Sequence, residues 1–255
     1  GYEPLEFDRE EGDIETFDFS DFHPDHVVHL ASRVYVPDSW TDTVAFYRTN
    51  TMGTINILEL CRRERCTLTY ISSYVYGFPQ YLPVDENHPV QPANPYNHSK
   101  LMAEEMVSFY SRTFDIPTTV LRPVNIYGPG QHSEFLIPGI INQVLDPCVE
   151  TVEVMDLKPK RDYLFIDDFL EAILATLTQP GDFFNIGSGI SYSVEDAIKA
   201  IMQSAGIVKP YQDKNVTRKN EIWDVYVSIE KIGKALNWQP RVGFQEGIAR
   251  CIFKQ

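Results

Sequence analysis

Glycine is in short supply. The 255 residues hold 14 glycines, and nowhere do they gather into the glycine-rich turn that passes a strand into a helix around a pyrophosphate. Basic residues are scarce as well: 22 Lys and Arg stand against 36 Asp and Glu, a formal charge of −14. That balance argues against a nucleic-acid-binding face, so no nucleic-acid partner is expected. An anionic ligand would need a local basic pocket. The sequence has no run of apolar residues long enough for a membrane span, and no signal-peptide pattern opens it. The four cysteines, Cys61, Cys66, Cys148 and Cys251, show no metal-ligand spacing. Reduced thiols in a cytoplasmic protein, with no metal centre, are the expectation.

What is present is concentrated between residues 67 and 100. Leu68, Tyr70 and Ile71, with Thr67 and Thr69 between them, read as a strand, which runs into Ser72 and Ser73. Farther on, Tyr96 and Lys100 stand four apart, so on a helix they share one face, with about 6 Å between Cβ atoms. A tyrosine of pKa about 10 is a poor base at neutral pH, but an adjacent ammonium favours the phenolate. A serine hydroxyl can then hold the substrate oxygen whose proton the tyrosine takes. The trio suits oxidation of an alcohol or reduction of a ketone with a nicotinamide. Alone, Tyr-x-x-x-Lys arises by chance and says only that a helix carries both residues.

It is not alone. The strand ending Ser72-Ser73, the Val75-Tyr76-Gly77 turn and Pro95-Tyr96-Asn97-His98-Ser99-Lys100 occur in order and at close spacing. Together they resemble the extended short-chain dehydrogenase/reductase family, in particular its nucleotide-sugar epimerases and dehydratases of the UDP-glucose 4-epimerase type. The resemblance covers nearly the whole chain. It implies that Tyr96 is the base, that Lys100 tunes it and holds the cofactor ribose, and that a serine orients the sugar hydroxyl. Counted from the strand that serine is Ser73; counted back from Tyr76 it is Ser72. Loops absorb deletions more readily than strands, which favours Ser73, with Ser72 as the alternative.

Further segments fit the same family. Gly12-Asp13-Ile14 resembles a Gly-Asp-Ile/Leu segment that approaches the adenine ring, though an acidic turn reads as well. Val27 to Ser32 is a buried strand resembling the family's His-Leu-Ala-Ala strand along the dinucleotide, which puts Leu30, Ala31 and Ser32 beside the cofactor; His29 reads as a structural strand histidine. Residues 40 to 65 predict one helix with Val44, Tyr47, Thr51, Ile55 and Leu58 as its core stripe. Within it, Asn50-Thr51-Met52-Gly53-Thr54 resembles Asn-Val-x-Gly-Thr, where Asn50 anchors backbone near the site and Gly53 lets helix and sheet approach. Ile71 would lie against the cofactor. Arg122 to Gly130 resembles Arg-x-x-Asn-Val-Tyr-Gly-Pro, which implies Pro123 along the nicotinamide and Asn125 at the substrate diphosphate. Arg161-Asp162-Tyr163 through Asp167-Asp168 matches a segment whose arginine binds that diphosphate, a task suited to a planar guanidinium. The family's Gly-Asp-Gly turn before it is replaced here by Asp156-Leu157-Lys158-Pro159. Arg218, ahead of Glu221 and Asp224-Val225-Tyr226, resembles a second phosphate-binding arginine; a surface arginine is the other reading.

The resemblance implies an α/β fold: a Rossmann-like doubly wound parallel sheet with a smaller α/β substrate lobe. The expected division is an NAD(P)-binding domain at 1–125 plus 160–190 and a lobe at 126–159 plus 191–255. The family's first βα unit, with its Gly-x-x-Gly-x-x-Gly, has no counterpart in the sequence. An omitted or truncated upstream segment is the expectation, since the centre of a parallel sheet is buried on both sides. The cofactor reads as NAD, with NADP open. The family's 4,6-dehydratases carry Asp-Glu directly after the serine or threonine; Tyr74-Val75 stands here instead, which implies 4-epimerisation of a nucleoside-diphosphate sugar through a 4-keto intermediate. A 4-ketosugar reductase or a dehydratase is the alternative within the family, and a cofactor-less binding or scaffold protein the alternative of another class. A homodimer is expected through helices at 42–63 and 96–113, with Ile57, Leu60, Met102 and Phe109 on their outer faces.

Overall fold

A computed structural model describes residues 3–178, 181–216 and 220–253. In chain order the elements are β1 (His26–His29), α1 (Val36–Thr41), α2 (Thr43–Tyr47), a π-helical turn (Arg48–Met52), α3 (Gly53–Glu64), β2 (Thr67–Ile71), α4 (Pro95–Phe114) and β3 (Thr118–Pro123). There follow β4 (Asn125–Tyr127), α5 (Leu136–Leu145), β5 (Val152–Val154), β6 (Lys160–Phe165), α6 (Ile166–Thr176), β7 (Phe183–Ile186), β8 (Ser191–Ser193), α7 (Val194–Ala205), β9 (Tyr211–Asp213), α8 (Glu230–Leu236) and α9 (Phe244–Phe253). They form two compact units, one of residues 1–77, 90–122 and 176–183, the other of residues 78–89, 123–175 and 184–255. Segments 78–89 and 160–175 thus group with the second unit. No helix among the described residues is long and apolar enough to cross a membrane.

The first unit is built on parallel strands. β1 pairs with β2 from His26 opposite Thr67 to His29 opposite Tyr70, and β2 with β3 from Leu68 opposite Thr118 to Ile71 opposite Leu121. β7, beginning at Phe183, follows β3 in the sheet order. The core joins Leu68 and Tyr70 of β2 and Val120 of β3 to Ile57, Leu58 and Leu60 of α3 and Ala103 and Val107 of α4. The β2 threonines are satisfied inside: Thr69 is hydrogen-bonded to His26 at 2.9 Å and to Thr176 at 2.8 Å.

The helix expected over 40–65 is not continuous. The Gly53 N–H reaches back to the Arg48 carbonyl, closing a π turn, and one extra residue turns the upstream face by about 100°. Val44 consequently faces solvent, 70 % exposed, while Phe46 is buried. The expected stripe is corrected on this point. Ile57 and Leu60 are likewise core residues and not outward-facing; of the four apolar residues expected outside, Phe109 is exposed and Met102 half-buried. Gly53 makes room for the Ile14 side chain, which a Cβ would meet at 2.7 Å, so its close partner is not the sheet.

The second unit has its own core, in which Tyr127, Tyr163 and Phe165 pack with α5, α7 and α9. β4 lies parallel to β6, β6 antiparallel to β8, and β5 parallel to β9. Asp162, fully buried, accepts from Ser188 N–H (2.8 Å), Gly189 N–H (3.1 Å) and Val227 N–H (3.3 Å), tying two loops to β6. Helix α7 opens on a capping box of Ser193 and Asp196, a start signal readable from the serine.

Candidate active site

Helix α4 presents Tyr96, Ser99, Lys100, Ala103, Glu104 and Val107 to the interior of the first unit. The sequence starts it firmly. Pro95 occupies the first turn, where its missing N–H costs nothing, and Asn94 caps it by accepting from Asn97 N–H at 2.8 Å. Tyr96 and Lys100 therefore share one buried face.

The two serines at the end of β2 part company. Ser72 N–H donates to the Leu121 carbonyl at 2.8 Å, prolonging the ladder, and its hydroxyl donates to the Glu104 carboxylate. Glu104 in turn receives Arg122 Nε at 2.9 Å and Nη2 at 2.5 Å, and Arg122 Nη1 donates to the Tyr76 hydroxyl at 2.9 Å. Burial opposes the Arg122 charge, but Glu104 outweighs it and holds the guanidinium above its usual pKa. Ser72 is thus committed to a buried network. Ser73 is half-buried beside Tyr96, and its hydroxyl draws the phenol's pKa downward. Gly77 closes the turn beyond: its φ is +75° and a Cβ there would sit 1.9 Å from the Gln91 carbonyl oxygen, so only glycine fits.

Asn50 sits in the π turn, a device that recurs at functional sites. Its Oδ1 accepts from Arg33 N–H (2.8 Å), and its Nδ2 donates to the Arg33 carbonyl (3.2 Å) and to Ser99 Oγ (2.9 Å). Ser99 Oγ donates to the Tyr96 carbonyl at 2.7 Å. One side chain thereby ties the loop after β1 to the first turn of α4.

Burial pushes the Tyr96 phenol above its usual pKa, and the Ser73 hydroxyl draws it only partly back. The lowering expected from Lys100 does not prevail, because Lys100 is itself desolvated: burial brings it down to about 7, against the opposing charge of Glu104. His29 is buried, hydrogen-bonded to Thr54 at 3.0 Å, and brought down to about 3 by burial and by Lys100. It stays neutral and serves the strand.

Other expected residues are placed as follows. Leu30 and Ala31 are exposed and Ser32 half-buried just past β1; Ile71 is buried at the end of β2. Ile14 is a core residue, and the exposed Asp13 receives Glu15 N–H at 3.0 Å in a local turn. In the second unit, Pro123 is buried, and the exposed Asn125 donates to the Asp162 carbonyl at 3.1 Å. Arg161 is already engaged: it pairs with Glu221 and donates to the carbonyls of Lys160 (2.8 Å) and Ile222 (2.5 Å). Arg218 lies outside the described residues. No cluster of His, Cys, Asp and Glu among those residues could hold a metal.

Glu104 and Ser99 escaped the sequence reading. Glu104 had a signal: four residues past Lys100 and eight past Tyr96, it continues their face, and a carboxylate on a buried stripe demands a cationic partner.

Residues 10–251 match the family model described as GDP-mannose 4,6 dehydratase. The chain is 30 % identical over 241 residues to a GDP-6-deoxy-D-mannose reductase of Pseudomonas aeruginosa, covering 90 % of this chain and 79 % of that protein. Among solved structures it resembles RMD from Pseudomonas aeruginosa complexed with NADPH, with a TM-score of 0.88 and 29 % identity over 94 % of this chain and 85 % of that one. It also resembles the UDP-glucose 4-epimerase of Thermotoga maritima with UDP-glucose, with a TM-score of 0.85 and 26 % identity over 92 % and 78 % of the two chains.

Proposed function

The chain belongs to the GDP-mannose 4,6-dehydratase family, and on that premise we propose that it is an NAD(P)-dependent enzyme that epimerises a nucleoside-diphosphate sugar at C4. The observation that carries the reading is the buried face of α4 that holds Tyr96 and Lys100 one turn apart, with the Ser73 hydroxyl close enough to draw the Tyr96 phenol's pKa downward. A dinucleotide fits the residues present. The buried Lys100 ammonium makes no hydrogen bond among the described residues, and ribose hydroxyls would supply its acceptors; Leu30, Ala31 and Ser32 offer an open strand end, with Ile71 at the end of the neighbouring strand. When bound, the nicotinamide supplies the hydride acceptor and donor.

The chain's own residues handle the proton. Ser73 holds the C4 hydroxyl of the sugar, and Tyr96 Oη takes its proton as the phenolate, the form that the Lys100 charge favours against burial, as C4 becomes a ketone. The same proton returns to the oxygen when the ketone is reduced on its other face, so the sugar leaves isomerised and nothing else is consumed. Dehydration would need a further acid and base beside the serine. The residue in that place, Tyr74, instead donates its hydroxyl to the Gly77 carbonyl at 2.9 Å, which favours epimerisation. Arg161, Asn125 and Arg218 are the proposed diphosphate contacts. Arg161 would exchange or share Glu221 when the anion arrives.

The purified protein, given NAD and a panel of nucleotide sugars, should interconvert one C4-epimeric pair by NMR with no net change in nicotinamide absorbance. Stoichiometric oxidation of NAD(P)H with a 4-ketosugar would replace the reading with a reductase. No turnover and no dinucleotide binding would leave a binding or scaffold protein.

The four free cysteines support a reducing, cytoplasmic setting. A homodimer through the helical segments 42–63 and 96–113 is proposed, supported by the exposed Phe109 and half-buried Met102 of the second; a monomer by sedimentation at micromolar concentration would refute it.

A further inference from the structure

Lys100 is buried, and among the described residues its ammonium makes no hydrogen bond and no ion pair. What it does meet is the face of Tyr70, with the ring centroid 4.5 Å from Nζ. Tyr70 lies on β2, wholly buried, and its hydroxyl has no hydrogen-bond partner. Nearby Thr54 is taken up by the Asn50 carbonyl at 2.7 Å and by His29 at 3.0 Å. The position therefore uses the ring of this tyrosine and leaves its oxygen idle.

The charged and titratable groups around Lys100 come from every neighbouring element. Helix α4 itself gives Tyr96 and Glu104, β1 gives His29, β2 gives Tyr70, and β3 gives Arg122, which occupies both Glu104 oxygens. On α2, Tyr47 is hydrogen-bonded to His98 at 2.8 Å. His29 is neutral and Glu104 is shared, so the ammonium is left with one divided carboxylate and one aromatic face. An aromatic face carries negative charge density, and its attraction for a cation strengthens as water is withdrawn.

We propose that the Tyr70 ring is the seat of the Lys100 ammonium, holding it charged and aimed along the face it shares with Tyr96. Tyr70 is then a positioning residue that acts through Lys100. The inference rests on the reading of Lys100 as the charged partner of Tyr96. Burial alone works to discharge Lys100, which stands at about 7; the ring resists that loss, and an aliphatic side chain of similar bulk would not.

The test is the titration of Lys100 by NMR of 15N-labelled lysine in the resting protein, with the signal assigned by its absence in Lys100→Met. Three proteins are compared with wild type: Tyr70→Phe, which keeps the ring; Tyr70→Leu, which removes it; and one with pentafluorophenylalanine at position 70, which keeps the shape and reverses the charge of the face. The proton affinity of Lys100 should fall about tenfold in the latter two, a cation–π loss in a desolvated site. Tyr70→Phe should keep the wild-type midpoint. An unchanged midpoint with pentafluorophenylalanine, or a fall in Tyr70→Phe equal to that in Tyr70→Leu, would overturn the proposal. The pentafluorophenylalanine protein serves even if Tyr70→Leu fails to fold. Because the measurement needs no turnover, it is independent of the base assignment. Tyr96→Phe with full activity would discard that assignment and leave the Tyr70–Lys100 result standing.

Discussion

Arg122 donates to both carboxylate oxygens of Glu104, Nε at 2.9 Å and Nη2 at 2.5 Å, with less than a tenth of either side chain exposed. Such a pair adds little over an apolar substitute, because both charges lose their water, but half of one is expensive. Glu104→Ala strands a buried guanidinium and should lower the unfolding free energy by about 3–5 kcal/mol, measured by urea denaturation. A loss below about 1 kcal/mol would mean that water reaches Arg122.

The two serines should separate in mutation as they do in space. Ser72→Ala removes a hydrogen bond to a charged group, worth about 1.5–3 kcal/mol, and the loss should appear as stability with turnover nearly kept. Ser73→Ala should lose a comparable energy from the transition state, roughly 10- to 150-fold in rate, and keep its melting temperature. The reverse pattern would make Ser72 the substrate serine.

Tyr96→Phe and Arg161→Ala should fail in different ways. The first should lose about 10²–10⁴-fold in turnover, as removal of a general base does, with nucleotide-sugar binding intact by calorimetry. The second should raise the dissociation constant by the equivalent of about 1.5–3 kcal/mol and spare turnover at saturation. Tyr96→Phe with wild-type turnover would discard Tyr96 as the base.

Lys100, lowered to about 7 from 10.5, has a signed consequence for stability. Between those values the unfolded chain holds a proton that the folded chain does not, so this group makes stability rise with pH. Below about 7 both states are protonated and the slope vanishes. The difference in unfolding free energy between wild type and Lys100→Met should therefore grow in favour of wild type from pH 7 to 9, by on the order of 1–2 kcal/mol. A flat difference would mean that Lys100 keeps its charge in the folded protein throughout that range.

Much of this was legible in the sequence because it is local. Tyr96 and Lys100, four apart, read as one face of a helix, now α4, and a threonine-flanked apolar run predicts β2. Other features depend on encounters that no local pattern encodes. Glu104 and Arg122 are 18 positions apart and read singly as surface charges. Arg161 looks free until Glu221 and Ile222 return to it from 60 and 61 positions away. Val44 fits its stripe perfectly well, and a single hydrogen bond, from Gly53 to Arg48, removes it.

That hydrogen bond makes the segment from 43 to 64 a phase shifter. Two helical stretches share one axis but keep separate angular books, offset by the one residue that the π turn accommodates. Deleting Thr49 would let the ladder close in ordinary α register and swing everything upstream by about 100°. Phe46, now buried, would then rotate off its packing against Tyr96, whose ring lies 6.3 Å from its own. A one-residue deletion here is thus not a small edit: it should dismantle the wall of the site while leaving every named polar residue in the sequence.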